Sequence, residues 1–201
     1  MISNRINHSF NGIIKIPGDK SISHRSIIIP SISNGVSEIN DILMSEDVMH
    51  TLKAFKTLGV KITIENRRIL IHGKGLNSLQ SPNENIYLGN SGTSARLLTG
   101  LLSSQSFTSI IEGDKSLSSR PMRRIMDPLK IMGAKFDNLS GQLPLKIVGK
   151  ELKNSKIIID IPSAQIKSGI ILAALNTTGE STIIETNITR NHTENMLKSF
   201  G

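Results

Sequence analysis

The chain has 201 residues, 37% of them hydrophobic and none of them cysteine, enough for a core in one or two domains and incompatible with disulfides or thiolate metal sites. Its 24 Lys and Arg against 16 Asp and Glu leave a formal charge of +8, which favours anionic partners. Aromatics are only 3%, the cations are scattered singly, and no apolar run approaches the ~18 residues of a membrane-spanning helix, so small anions are favoured over nucleic acid or membrane.

The opening stretch MISNRINHSFNGIIKIPG lacks a long apolar segment and a small-residue cleavage site, so it is not read as a secretory signal and a cytoplasmic protein is expected. Residues 14–17 read as a strand that Pro17 and Gly18 terminate. A helix is expected over 23–32, a strand over 36–43, a second helix over 46–58, then Gly59 and the hairpin VKITIENRRILIHG. The same order recurs as strand 86–88, helix GNSGTSARLLTGLLSS, strand 107–112, helix 122–132, Gly133 and the hairpin AKFDNLSGQLPLKIVG. A third pass runs through strand 157–161, helix PSAQIKSGIILAALN, strand 181–188 and HTENMLKSFG.

The first helices open at Pro17, Gly89 and Pro162, each roughly 70 residues from the last, and the second helices close on Gly59, Gly133 and Gly201. A Gly after an apolar last turn is the pattern of a left-handed helix cap. The fold expected is α/β, built of repeated βαβαββ units spanning about 13–75, 85–150 and 156–201. The third unit stops before its hairpin, which would leave an apolar sheet edge uncovered. A fragment or truncated gene product is therefore expected, with a naturally short third copy as the alternative.

Each first helix opens with small and polar residues: Lys20, Ser21, Ser23 and Arg25; Asn90, Ser91, Gly92, Thr93 and Arg96; Ser163, Gln165 and Lys167. Helix N-termini carry free N–H groups and partial positive charge, so three such mouths aimed at one place would make a concave anion site. Taken singly, each stretch reads more simply as an N-cap with solvated cations, and GDKSLSSRPMRR as an exposed basic loop. Recurrence in register favours the ligand site. The five histidines show no metal-ligating spacing, and no P-loop, GxGxxG or GxSxG motif is present, so no metal and no nucleotide site is expected. Glu46 and Asp47 read as helix-dipole partners, and Asp114 as a structural partner of a nearby Arg.

PGDKSISHR, LGNSGTSARLL, GDKSLSSRPM, PSAQIKSGIILAAL and TRNHTENML together resemble, in order, the motifs of the 5-enolpyruvylshikimate-3-phosphate synthase (3-phosphoshikimate 1-carboxyvinyltransferase) family. The sister family that acts on a UDP-sugar usually has Asn where Ser21 stands. The resemblance implies an inside-out α/β barrel of the enolpyruvyl transferase type, in which repeats pack around buried helices. It implies that residues 1–12 belong with a second domain, that 13–201 form the first, and that about half of the family's length lies outside the chain.

The family's reaction joins the 5-hydroxyl of shikimate 3-phosphate to C2 of phosphoenolpyruvate and then expels phosphate from a tetrahedral intermediate, in aromatic amino acid biosynthesis, with no cofactor and no metal. By resemblance, shikimate 3-phosphate is held by Lys20, Ser21, Arg25, Ser163, Ala164, Gln165 and Arg190. Phosphoenolpyruvate is held by Lys20, Gly92, Arg120 and Gln165, while Asn90 and Arg96 support the site. The motif Arg190-Asn191-His192 departs from a family that often has Asp in the middle. The acid/base carboxylates are expected in the half not represented here, which implies an inactive, substrate-binding chain with that half, as a separate polypeptide, for a further partner. A non-catalytic anion-binding module, a UDP-sugar transferase relative and a basic nucleic-acid binder remain as alternatives.

Overall fold

The computed structural model describes residues 11–65, 68–137 and 140–201, so the first ten residues of the expected N-terminal strand lie outside the described residues. The first helix, α1, spans Lys20–Ile32 and starts earlier than the apolar pattern implied, because Asp19 caps it through a 2.8 Å bond from the Ile22 N–H. Lys20 and Ser21 thereby sit in its first turn. Ile27, Ile28 and Ile29 are all buried, so the second half of α1 is enclosed while its first turn, at Lys20 and Ile22, stays exposed. Ser23, Ser26, Ser31 and Ser33 donate to carbonyls one turn back, which lets hydroxyls enter an apolar interior without orphaned donors.

Strand β1 (Asn34–Asn40) and the hairpin strands β2 (Lys61–Glu65) and β3 (Arg68–Lys74) form an antiparallel sheet in the order β1-β3-β2, with Ile62 opposite Ile71 and Ile64 opposite Ile69. Between them, α2 (Glu46–Thr57) buries Val48, Thr51, Leu52 and Phe55, the face expected of an amphipathic helix. It ends at Gly59, φ +85°, with the Val60 N–H reaching the Phe55 carbonyl at 3.0 Å. Gly133, φ +93°, ends its helix the same way, with Ala134 bonded to Leu129 at 3.0 Å.

The expected strand over residues 14–17 is not formed: Ile14 and Ile16 are 85% and 81% exposed. β1 stops at Asn40 and Asp41 turns the chain at φ +52°; residues 15–18 lie beside 41–44, with Lys15 3.8 Å from Asp41, but the two stretches form no ladder.

The second sheet takes β4 (Ile86–Tyr87), β5 (Thr108–Glu112), β6 (Lys135–Asp137) and β7 (Leu145–Val148) in the order β4-β5-β7-β6, with β4 and β5 parallel. Around it lie α3 (Gly92–Ser103), α5 (Arg123–Ile131) and a short helix, α4 (Lys115–Ser118), which the sequence pattern did not reveal. Asp114 caps α4, accepting from the Leu117 N–H at 2.7 Å, rather than pairing with an Arg. The last elements are β8 (Lys156–Ile159) parallel to β9 (Thr182–Glu185), α6 (Ala164–Ala174) and α7 (His192–Ser199). No helix among the described residues is long and apolar enough to cross a membrane.

Helices α3 and α6 are the centre of this mixed α/β fold. A Cβ on Gly100 would stand 1.8 Å from the Gly169 carbonyl oxygen, and one on Gly169 would stand 2.6 Å from that of Arg96. Only hydrogen fits at those points, so the two backbones touch. Leu97, Leu98, Leu101 and Leu102 fill the remaining faces of α3 and are wholly buried. The contact also fixes the relative height of the helices, and it brings their N-terminal ends level: Gln165 Nε2 donates to Thr93 Oγ1 at 3.1 Å.

Candidate functional site

At that end of the helices lies a cleft of about 620 Å³, lined from α1 by Lys20, from α2 by Asp47, from the α3 mouth by Asn90, Gly92, Thr93 and Arg96, and from the α6 mouth by Ser163 and Gln165. Arg120, Pro121 and Arg124 close one wall. Ser91 and Ser163 cap their helices, accepting from the Ser94 and Ile166 N–H groups at 3.2 and 3.4 Å. A smaller depression beside the cleft is lined by Ser21, Arg25, Ala164, Arg190 and His192, and it shares Thr93 and Gln165 with it. The structure thus brings together the nine residues that the resemblance gives as ligand-holding: Lys20, Gly92, Arg120, Ser163 and Gln165 on the cleft, Ser21, Arg25, Ala164 and Arg190 with Gln165 on the depression.

Charge on the cleft is one-sided. Four cations, Lys20, Arg96, Arg120 and Arg124, face one carboxylate, Asp47, and that carboxylate already receives the Lys20 ammonium. Arg96 donates to the Gly92 and Pro121 carbonyls at 3.1 and 3.3 Å, and Arg120 donates to Asn90 Oδ1. These partners are neutral, so they fix the guanidinium planes without cancelling their charge. Burial, then the neighbouring Arg120 and Arg124, pull the Arg96 guanidinium below its ordinary pKa. An anion entering this wall relieves that repulsion.

Beneath Lys20 and Asp47 lies a buried polar chain. His24 Nδ1 meets Thr51 Oγ1 at 2.8 Å, Thr51 meets Ser94 at 2.5 Å, and Ser94 meets Ser91 at 2.6 Å, tying α1, α2 and α3 together below the mouth. Burial drives the His24 pKa down to about 4, against an opposing pull from Asp47. His24 is therefore neutral at pH 7 and structural.

Several positions were misjudged or missed from sequence. Lys167, read as part of the third mouth, is buried on α6 and bonds Glu185 and Glu194, at 2.7 Å each, away from both depressions. Asp47, read only as a dipole partner, is the carboxylate that holds Lys20. Thr93 joins the two depressions, and Arg124 adds a fourth cation. For Arg124 the signal was present in PMRR, but periodicity alone does not say which of the two arginines faces the cleft; Arg123 packs instead on Gly141.

Converging helix N-termini and an excess of guanidinium charge give this α/β fold a strongly cationic cleft. A family model of EPSP synthase (3-phosphoshikimate 1-carboxyvinyltransferase) matches residues 5–201. The 3-phosphoshikimate 1-carboxyvinyltransferase of Ruthia magnifica subsp. Calyptogena magnifica is 50% identical over 196 residues, covering 96% of this chain and 45% of that protein. The protein of the same name from Streptococcus agalactiae serotype Ia is 49% identical, with 96% and 46% covered. A solved EPSP synthase from Acinetobacter baumannii superposes with a TM-score of 0.90 at 46% identity, covering 94% of this chain and 44% of that one. The chain belongs to the EPSP synthase family, and it spans about half the length of the curated relatives it matches.

Proposed function

We propose that these residues form the substrate-binding half of an enzyme that transfers the enolpyruvyl group of phosphoenolpyruvate to the 5-hydroxyl of shikimate 3-phosphate, releasing phosphate. The observation that carries this reading is the cleft in which four cations meet three helix N-termini and one already paired carboxylate. Both substrates are anions with phosphate and carboxylate groups, which is what such a wall orients and stabilises as charge develops.

In this reading Arg120 and the Gly92 backbone hold phosphoenolpyruvate on the cleft. Ser21, Arg25, Ser163, Ala164 and Arg190 hold shikimate 3-phosphate around the smaller depression. Lys20 and Gln165 reach both ligands. Addition of the 5-hydroxyl oxygen to C2 moves a proton to C3, and loss of phosphate returns one from C3. The groups that carry those protons are assigned to the half of the family fold outside residues 1–201. The inside-out barrel of three repeats, residues 1–12 packing with the second domain, and a cytoplasmic site of action belong to the same proposal.

Lys20→Ala tests it. Calorimetry of the chain should show shikimate 3-phosphate binding weakened by ~1.5–3 kcal/mol, the scale of a hydrogen bond to a charged group, with an unchanged melting curve. Unaltered affinity rejects the assignment. The chain alone should release no phosphate from the substrate mixture, and adding a polypeptide that carries the rest of the family fold should restore turnover. Binding that persists without turnover in the completed protein would favour a non-catalytic anion-binding module instead.

A further inference from the structure

Arg25 is 3% exposed, yet among the described residues no carboxylate touches its guanidinium. Its Nε donates to Thr193 Oγ1 at 2.5 Å and its Nη2 to Ser168 Oγ at 2.7 Å, while Nη1 donates to the Ser21 carbonyl at 2.8 Å. Nε and Nη2 are the two ends of one edge of the guanidinium, the edge that a carboxylate usually grips with both oxygens. Here two hydroxyls, 2.7 Å apart, take the place of those oxygens.

Their proton directions are forced. Arginine has no acceptor, so both hydroxyls accept from it. Ser168 spends its own proton on the Ala164 carbonyl at 2.6 Å, so Thr193 must give its proton to Ser168. Both hydroxyl protons are used, and both hydroxyls are 1% exposed.

Of the two carboxylates that favour the Arg25 charge, Glu194 acts more strongly than Asp19, and it lies one residue beyond Thr193 on α7. Its Oε1 is taken by Lys167 at 2.7 Å, and Lys167 adjoins Ser168 on α6. The countercharge is thereby drawn to the neighbouring ammonium. Arg25 keeps two N–H groups, one on each Nη, and its full charge, on the wall shared with Ser21 and Arg190.

We propose that Thr193 and Ser168 are positioning residues: they hold the Arg25 guanidinium in place with neutral hydroxyls so that its charge stays unspent for an anionic group of the ligand. The inference rests on the shikimate 3-phosphate reading above. A carboxylate at either place would orient Arg25 as well but would neutralise it.

The test uses the 201-residue chain, labelled with nitrogen-15, and the variants Thr193→Val, Thr193→Ser and Ser168→Ala. In the wild type the Arg25 Nε–H, identified by its loss in Arg25→Lys, should give a slowly exchanging signal that Thr193→Val abolishes and Thr193→Ser preserves. Thr193→Val and Ser168→Ala should weaken shikimate 3-phosphate by about tenfold or more, while phosphoenolpyruvate, held across the cleft, changes by less than about twofold. Thr193→Ser should stay within about threefold of wild type for both. Unchanged shikimate 3-phosphate affinity in Thr193→Val, or equal loss for both ligands, or no rescue by Ser, overturns the proposal. Inorganic phosphate titrated in parallel separates the two readings. If shikimate 3-phosphate fails to bind but phosphate shifts the Arg25 signal in wild type and not in Thr193→Val, the substrate reading falls and the positioning role stands. If neither moves the signal, the positioning role falls as well.

Discussion

At Lys167 and at the cleft wall the chain gathers cations, and the two places are built differently. Lys167, 7% exposed, has a carboxylate on either side, Glu185 from β9 and Glu194 from α7. Burial alone would lower its pKa, but the two hydrogen-bonded glutamates outweigh that and hold it above the ordinary value. Glu185 is held low in turn: burial would raise it, and the bonds from Lys167 and Thr189 more than offset this. Among the described residues Arg96, Arg120 and Arg124 have no carboxylate of their own; Arg96 meets carbonyls, and Arg120 meets Asn90 and Ser116. Among the described residues Arg124 makes no hydrogen bond or ion pair. A cation with its countercharge supplied joins elements together; cations held by neutral groups leave an electrostatic demand that a ligand meets.

Removing Lys167 is the strongest way to break that comparison. Lys167→Ala leaves two facing carboxylates in a nearly closed space, and a loss of about 3–5 kcal/mol is expected in urea unfolding, the usual effect of breaking a buried ion pair from one side. A loss of under about 1 kcal/mol would mean the cluster is wetter than its burial implies.

His24 offers a buried titratable group whose hydrogen-bond partners, Thr51 and Ser94, are neutral, with Asp47, Lys20 and Arg25 as charged neighbours. Its unfolded value is near 6.5 and its folded value about 4, so below pH 6.5 the unfolded chain takes up a proton that the folded chain refuses. Stability should be intact above about pH 6.5 and fall by roughly 3 kcal/mol on approaching pH 4. Glu185, lowered from 4.5, adds its own loss only beneath that value, so the upper part of the window reports on His24. Urea midpoints between pH 7 and 4.5 measure the slope, and His24→Asn should flatten it. An unchanged slope would place the titration elsewhere.

The smallest change in stability is expected at Gly92. A Cβ there would stand 2.9 Å from Arg96 Nη1 and 3.1 Å from Arg120 Nη1, the far ends of flexible side chains that can swing aside. Gly92→Ala should therefore cost under about 0.5 kcal/mol in folding. It should still weaken phosphoenolpyruvate binding by about tenfold, because the displaced guanidiniums no longer converge. Calorimetry beside a melting curve separates the two effects. Equal affinity in the variant would show that the cleft wall does not depend on their placement.

Much of this arrangement was legible in the chain. Alternating Ile residues marked β2 and β3, Gly59 and Gly133 closed their helices as the apolar last turns implied, and the small polar openings marked the α3 and α6 mouths. Lys167 was placed in a mouth because it follows Gln165 by two positions; on a helix that offset points it to a different face, where Glu185 and Glu194 wait. The strand expected over residues 14–17 had the right composition, but the neighbouring residues 41–44 form no ladder with it. Strand propensity is realised only where a neighbour supplies the ladder.

By itself the sequence determined what is local: the period of each element, its caps and stops, and the kinds of side chain at each helix mouth, since these depend on residues within a turn or two of one another. Tertiary structure decided which charges are cancelled and which are not. Arg25 meets Thr193 and Ser168, Lys20 meets Asp47, and Lys167 meets two glutamates, all across distances in the chain that no periodicity reports. The backbone contact between Gly100 and Gly169 sets the height of α3 against α6 and so brings their mouths level. Electrostatic interactions fall off with separation in space and not along the chain, so whether a cation binds a ligand or a neighbour is settled only when the helices have packed.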